Sequence, residues 1–536
     1  MNQKTENYNL LVEEWIPILR TNGKFERVGI WTALTEAGRI RQIAASNPMD
    51  NVALLRLLLA VLQWCAPEAT EDELEELRCE DTVGIPSHLL EDKLGMPEQP
   101  NSAFDLLGTT SGFYQDHTAG GVKVAVTNLL HDFPSGSKIA HFRHTRDHRE
   151  GMCLACCALG LVRWPGVASA GTAGAGQSMT ASINGNTPAY SVRISATLLA
   201  TLMFTWPCDH AVDGDAPVWA SANEESPLGF FKGMTWRSRR VLLAFRDTEG
   251  EREVPPQCCC LCGQHTNRLI RSIHFRPGWQ RFSKEPWSED PHLLRITRRT
   301  GKSFKKNKIV PSWPSPNDRL EDHAAVWRSV LEGHLQRSAA SETEATELHT
   351  TLLANSQALY KHVGLHTASL PRISPDLAHR LLNEMEWLKQ LTWITTSTRS
   401  GNWREPPKGH FVVEALCAPG AKGHAIRSGL CARSPLTESG LEKAFLKLAH
   451  GLAVLRQADR NATEQAVDDW RSEVRRILRN HIDPVIYTTT PGSPLRQQEA
   501  TRHADDAVGG AVRQVERQRT KVVDKPEGGR RKGNKA

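Results

Sequence analysis

The sequence predicts an α+β fold, with strands and helices mixed through about the first two-thirds of the chain and helices beyond. Three observations predict it. Early apolar runs are short and punctuated: Asn22-Gly23 follows Trp15-Ile16-Pro17-Ile18 as a hairpin signal. Past about residue 320, apolar residues recur at helical spacing instead. Two cysteine pairs, Cys153-x-x-Cys156 and Cys259-x-x-Cys262, stand about a hundred residues apart. Each can set two thiolates on one ion, and zinc takes four ligands in a tetrahedron, so a shared structural zinc would staple two distant segments of the mixed part.

Taken in order, residues 9–31 read as strand, turn, strand, with Leu10-Leu11-Val12 opening the first run. Residues 51–64 read as a helix with Leu54, Leu55, Leu58, Leu59 and Leu62 on one stripe. Between 67 and 130 an acidic helix, Glu71–Glu76, mixes with short segments broken by glycine. A polar loop follows from 134 to 150, and a Gly/Ala/Ser-rich loop from 164 to 188. Residues 227–246 read as β structure, and 255–318, rich in Trp, Pro and Arg, as irregular. Leu441, Phe445, Leu448, Leu452 and Leu455 make one helical stripe; Trp470, Val474, Ile477 and Leu478 make a second, which Pro484 is expected to stop. Thr437 and Thr463 fit N-caps. Such stripes are bundle core rather than cofactor sites. Three regions are expected: a mixed domain over 1–365, a helical one over 366–515, and a disordered basic tail over 516–536, with 495–517 alternatively a last bundle helix.

Composition bounds the chemistry. The chain has 536 residues, of which 39% are hydrophobic, and a formal net charge of +6. That suits a soluble protein of two to four domains whose charge distribution matters more than its sum. Twelve cysteines beside a polar start, Met1-Asn2-Gln3-Lys4-Thr5-Glu6, point to a reducing, cytoplasmic setting. The most apolar stretch, Val52 to Ala66, carries Arg56 and Gln63 and is too short to span a bilayer.

The register of the second cysteine pair has alternatives, because the run is Cys258-Cys259-Cys260-Leu261-Cys262-Gly263; Gly263 favours Cys259 with Cys262 by permitting the knuckle's turn. Cys157 likewise follows Cys156. The run from Arg295 to Lys308 holds seven cations and no acid. Such a cluster repels itself, and a phosphate backbone relieves that cost. The stretch Pro165 to Gln177 lacks the Gly-Lys-Ser/Thr of a phosphate loop, which leaves either a plain connector or a place where another backbone or a DNA groove approaches closely. His141, His144 and His148 invite an alternative, a stand-alone metal-dependent nuclease or deaminase. However, His148-Arg149-Glu150 lies too near Cys153, and Met152 stands where a deaminase has proline.

The opening Asn9-Leu10-Leu11-Val12-Glu13-Glu14-Trp15-Ile16-Pro17, the two cysteine pairs in order, the Pro-Gly stretch after the first and the helical C-terminal part together resemble the large subunit of type I-E Cascade, the CasA family, over about residues 8–490. The resemblance implies a large mixed α/β N-terminal domain with a structural zinc site, followed by a C-terminal four-helix bundle. It implies no catalysis. The family's partners are the other Cascade subunits, the 5′ handle of the CRISPR guide RNA, target double-stranded DNA and a helicase-nuclease recruited in trans, with no membrane. Its protein reads a short protospacer-adjacent motif (PAM) and helps open the duplex, while the guide reads the rest.

Carried onto this sequence, the resemblance implies zinc on Cys153, Cys156, Cys259 and Cys262. It implies guide-RNA contacts from Lys138, His141, Phe142 and Arg143. Motif reading falls to Gly166, then Gly171 or Gly174, with Arg271, His274 and Arg276 in a basic finger. Arg298 and Arg299, with Lys302, Lys305 and Lys306 beside them, would hold the displaced strand. His366, Thr367 and Ala368 correspond to a wedge at a hairpin tip, although no glutamine precedes Ala368-Ser369.

Overall fold

The computed structural model describes residues 7–67, 77, 82–108, 112–118, 122–130, 151–168, 171–172, 178–179, 182–184, 190, 192–206, 212–244, 257–280, 287, 289–293, 331, 346–355, 363–373, 375–391, 441–455 and 460–489. They form a mixed helix-and-strand protein, as the α+β reading expects. The chain divides into two compact units: residues 1–295 with 309–313 and 346–369, and residues 296–308 and 314–345 with everything from 370 onward.

The first unit opens with strands β1 (Ile16–Arg20) and β2 (Phe25–Val28), helix α1 (Ile30–Thr35) and β3 (Ile40–Ile43), with β1 central between its neighbours. Gly23 takes φ +85°, the left-handed value that the Asn-Gly turn needs. Leu10–Val12 is a turn rather than a strand: Val12 and Glu13 N–H both donate to Asn9 O. Leu10 and Leu11 are buried there, and the Trp15 indole donates to Leu10 O at 2.9 Å.

Helix α2 (Pro48–Cys65) starts at Asn47, whose side chain caps Met49 N–H at 2.9 Å, and proline holds the first helical position. Its leucines are buried as expected, yet they are not a single stripe. Residues 52–62 are buried on every side, which makes α2 a central helix. Next come α3 (His88–Leu94), the short hairpin β4 (Gly95–Met96) and β5 (Gln99–Pro100), and β6 (Val122–Ala125). The acidic run Glu71–Glu76 and the loop 134–150 lie outside the described residues.

Strand β7 (Met152–Cys153) leads straight into helix α4 (Leu154–Val167), which packs on α2. Every α4 residue is buried. Here the expected loop is corrected: the helix continues through Pro165 and Gly166. Proline in the last turn loses one backbone bond, and the helix ends two residues later. The glycine-rich stretch beyond forms a hairpin, β8 (Gly171–Thr172) with β9 (Ser178–Met179).

The unit continues with β10 (Val192–Ile194), α5 (Leu198–Phe204), α6 (Phe230–Met234) and β11 (Arg239–Leu243). The region read as irregular contains four strands: β12 (Gln257–Cys258), β13 (His265–Thr266), β14 (Leu269–Ile270) and β15 (Ser272–Pro277). β15 lies between β11 and β6, all antiparallel. Ile273 and Phe275 alternate inward with Val241 and Leu243, so the composition concealed a period of two. β16 (Thr346–Asn355) and β17 (Val363–Ile373) complete a sheet with β10.

In the second unit, three helices are described: α7 (Pro375–Leu391), α8 (Leu441–Val454) and α9 (Arg460–Thr489). Trp387 and Trp470 meet at 5.3 Å, and Arg471 grips Glu384 through two hydrogen bonds of 3.0 and 2.8 Å. Two boundaries differ from expectation. α9 begins before Thr463 and passes through Pro484, because a helix this long absorbs the loss of one bond. Thr437 lies outside the described residues.

One ion pair welds α2 to α4: Arg163, fully buried, donates to both oxygens of Asp50, with Nη2 to Oδ2 at 2.9 Å. Asp50→Ala would strand that guanidinium in the core, and a loss of about 3–5 kcal/mol is expected. Urea unfolding of the variant measures it.

Candidate metal centre and nucleic-acid interface

Four sulfurs converge where β7 meets α4. Cys153, at the α4 N-cap, and Cys156, one turn on, face Cys259 and Cys262, and the four Sγ atoms lie within 4.8 Å of one another. Cys153 Sγ and Cys262 Sγ are 3.7 Å apart. In tetrahedral zinc with Zn–S of about 2.3 Å, ligand sulfurs stand about 3.8 Å apart, so the quartet fits such an ion. β7 pairs with β14, Leu269 opposite Cys153, which fixes the first pair against the strand that follows the second. Cys153 N–H points at Cys259 Sγ at 3.3 Å, the kind of donor that orients a thiolate.

The second knuckle's register is the expected one. Gly263 takes φ +73° and donates to Cys259 O at 3.0 Å, closing the turn. Cys258 is exposed, with its thiol turned toward Gly263 O, and Cys260 is tied by its backbone to Gly151. Cys157 is buried, and desolvation raises its pKa. Hydrogen bonds from Cys153 and Cys156 draw Cys259 down to about 6, and the same donors lower Cys262. Bonds to Cys153, Cys259 and Cys262 raise Cys156.

Helix α4 carries the chain from this quartet to the glycine hairpin. Near its far end, the Trp164 ring meets Phe275 of β15 at 5.4 Å, and the Arg239 guanidinium lies 4.8 Å above Trp164. Burial pulls Arg239 down to about 10. β9 of the hairpin lies against β15. Thus Gly171 and the basic finger come to one part of the unit.

The finger residues sit on β14–β15 or between them. Arg271 is exposed and bonds Gln257. His274 and Arg276 alternate with the buried Ile273 and Phe275, so both stand on the sheet's outer face. Sequence reasoning missed two further cations there: Lys123 pairs opposite His274, and Arg240 opposite Arg276. Arg240 also meets Glu224 at 3.1 Å. The signal was present as Val122-Lys123-Val124 and Arg240-Val241-Leu242, but only strand pairing joins them.

Two expected roles change. Gly166 is buried inside α4, where its carbonyl accepts a bond from the Tyr190 hydroxyl at 2.5 Å. A Cβ there would meet Arg56 Nη1 at 2.6 Å. Its need for glycine is therefore internal to the fold rather than set by a DNA groove. His366, Thr367 and Ala368 lie within β17, in the interior of an eleven-residue strand and not at a hairpin tip. Lys138, His141, Phe142, Arg143, His144, His148, Gly174, Arg298, Arg299, Lys302, Lys305 and Lys306 lie outside the described residues.

The first unit is thus an α+β body that gathers four thiols at one end of α4 and sets a glycine hairpin beside a cationic strand face at the other. The family described as CRISPR-associated protein Cse1 matches residues 9–388, more than half of the chain. The chain belongs to this family, and the resemblance to CasA proteins stands. It is 28% identical over 264 residues to the CRISPR-associated protein CasA/Cse1 of Thermus thermophilus; the match covers 44% of this chain and 49% of that protein, so the chain spans about half the relative's length.

Solved structures share the fold. Thermobifida fusca Cse1 superposes with TM-score 0.62 at 18% identity, covering 95% of this chain and 98% of that one. A Thermus thermophilus CasA gives 0.59 at 19%, covering 95% and 100%. A chain of a CRISPR RNA-guided surveillance complex gives 0.60 at 13%, covering 94% and 99%. Among the described residues, no helix is long and apolar enough to cross a membrane.

Gly166→Ala must displace a buried arginine, and overpacking of that kind costs about 1–3 kcal/mol. Chemical denaturation is expected to show that loss with or without nucleic acid present.

Proposed function

We propose that the chain is the non-catalytic large subunit of a type I-E CRISPR RNA-guided surveillance complex, acting in the cytoplasm and reading a protospacer-adjacent motif on double-stranded DNA. The observation that carries this reading is the path of α4, which runs from the thiol quartet to the hairpin lying beside β15. Membership of the Cse1 family supports it.

In this reading Cys153, Cys156, Cys259 and Cys262 hold a structural zinc. Four thiolates fill its coordination, which leaves no open position for water or substrate. The zinc braces β7 against the β12–β15 region. Gly171, Gly174, Arg271, His274 and Arg276 approach the duplex, where minor-groove edges distinguish base pairs poorly, so several motifs are tolerated. Lys138, His141, Phe142 and Arg143 dock on the guide RNA through stacking and phosphate contacts. Arg298, Arg299, Lys302, Lys305 and Lys306 hold the displaced strand without regard to sequence. The subunit helps open the duplex and recruits a separate helicase-nuclease.

Three outcomes test the reading. Cys156→Ser is expected to lower zinc to well below one ion per chain by elemental analysis and to drop the thermal midpoint, because a structural site contributes folding energy directly. Well-folded wild-type protein without zinc refutes the site. In the assembled complex, Gly171→Asp is expected to weaken motif-dependent duplex binding at least tenfold, since it places a carboxylate beside phosphates. Arg298→Ala with Arg299→Ala is expected to weaken binding to all targets alike and to reduce the salt slope by about 1 to 2. A motif library titrated at two salt concentrations reads both; if the arginine pair reorders motif preference while Gly171→Asp does not weaken binding, the roles are wrongly assigned.

A further inference from the structure

A buried polar cluster lies at the root of the glycine hairpin, drawn from segments far apart in the chain. Asp290, whose side chain is fully buried, accepts from Arg56 Nε at 2.8 Å and from Asn184 Nδ2 at 2.9 Å, both on Oδ2, while His292 N–H donates to Oδ1 at 3.0 Å. Asn184 Nδ2 also donates to the Tyr190 hydroxyl at 2.8 Å, and that hydroxyl donates to Gly166 O at 2.5 Å. The Arg56 guanidinium sits 5.7 Å from the Tyr190 ring centre. Tyr190 further bridges Leu293 through its backbone. Two residues past Gly166 the hairpin's neck closes, with Ser182 N–H donating to Ala168 O at 2.6 Å.

This arrangement is not built for stability. A buried ion pair barely offsets its own desolvation. Here Arg56 Nη2 and Asn184 Oδ1 are also buried without a hydrogen-bond partner, which adds to the cost. Apolar residues of similar volume often serve stability as well as or better than a buried ion pair. What the cluster supplies is direction: each bond fixes one segment relative to Asp290, and together they hold both strands of the hairpin's neck. The outgoing arm is held at Gly166 O, in the last turn of α4, and the returning arm at Asn184 and Tyr190.

We propose that Arg56, Asn184, Tyr190 and Asp290 are positioning residues, a clasp that sets the angle at which the paired strands β8 and β9 leave the domain and so presents them to duplex DNA. The proposal rests on the duplex-reading role given to that hairpin. In this reading none of the four touches the ligand; they act through the Gly166 carbonyl on one arm and through Asn184 and Tyr190 themselves on the other.

Tyr190→Phe is the informative variant. It keeps the ring beside Arg56 and leaves the Arg56–Asp290 pair intact, so the fold survives, while the hydroxyl's bond to Gly166 O and the bond it accepts from Asn184 Nδ2 are lost; Asn184 Nδ2 retains Asp290 as acceptor. Two measurements are made in the assembled complex. Amide hydrogen exchange over 168–184 is expected to quicken at least about fivefold, the factor for one net hydrogen bond, since Asn184 Nδ2 keeps Asp290 as acceptor and only the bond to Gly166 O is lost without replacement. Affinity for a motif-bearing duplex is expected to fall by a similar factor, while affinity for the same target as a single strand stays unchanged. Ile18→Val, a core change in the β2–β1–β3 sheet, controls for general destabilisation and is expected to move neither.

Unchanged exchange in Tyr190→Phe overturns the clasp. Faster exchange with unchanged duplex affinity, in a preparation where Gly171→Asp does impair binding, overturns the positioning role. If Gly171→Asp itself is without effect, the duplex-reading role of the hairpin has failed, and faster exchange in Tyr190→Phe then marks the clasp as purely architectural.

Discussion

The burial of α4 on every side is the constraint on which the first unit depends. A helix enclosed in this way can bear on its surroundings at both ends, because nothing along its length is free to shift. Asp50 and Arg163 lock it to α2 by charge, and Trp164 locks its last turn to Phe275. A thiol quartet at one end and a hairpin root at the other are therefore held at a fixed separation. The rise of 14 residues, about 21 Å, sets that distance.

Two kinds of long-range fastening serve this helix, and they differ in how they tolerate change. The thiol quartet is soft in registry, since Cys258 and Cys260 flank Cys259 and only the turn at Gly263 selects Cys259 and Cys262. The buried carboxylate clusters are hard in registry. Asp290 receives three donors in fixed directions, so a neighbouring residue could not take its place. The first kind gathers four thiols at one point, and the second fixes direction.

Much of this was legible in the sequence wherever the signal was local. Asn22-Gly23 gave away its turn, the leucines of α2 gave away a helix, and the cysteine spacing pointed to the quartet with the right register. Features that depend on distant partners were not legible. Arg56 and Asp290 are 234 residues apart, and no local pattern joins them. Pro165-Gly166 reads as a loop until α2 is seen to bury it. The finger residues Arg271, His274 and Arg276 were reached through family resemblance, although the alternation of Ile273 and Phe275 was there to be read beneath the Trp, Pro and Arg of that region. At His366 to Ala368 the resemblance misled, because the local match carried no information about strand length.

The quartet also bears on how the chain can vary over evolutionary time. Its two halves enclose a loop in which Cys153 and Cys259, joined by a hydrogen bond from N–H to Sγ, stand 106 residues apart, and the glycine hairpin is an excursion inside that loop. The entropy of closing a long loop grows only with the logarithm of its length, so even a doubling adds about 0.6 kcal/mol. A few residues gained or lost at the hairpin tip thus leave the fastening almost untouched. Hairpin length and scaffold integrity are uncoupled, and selection can lengthen, shorten or rewrite the one segment without renegotiating the other.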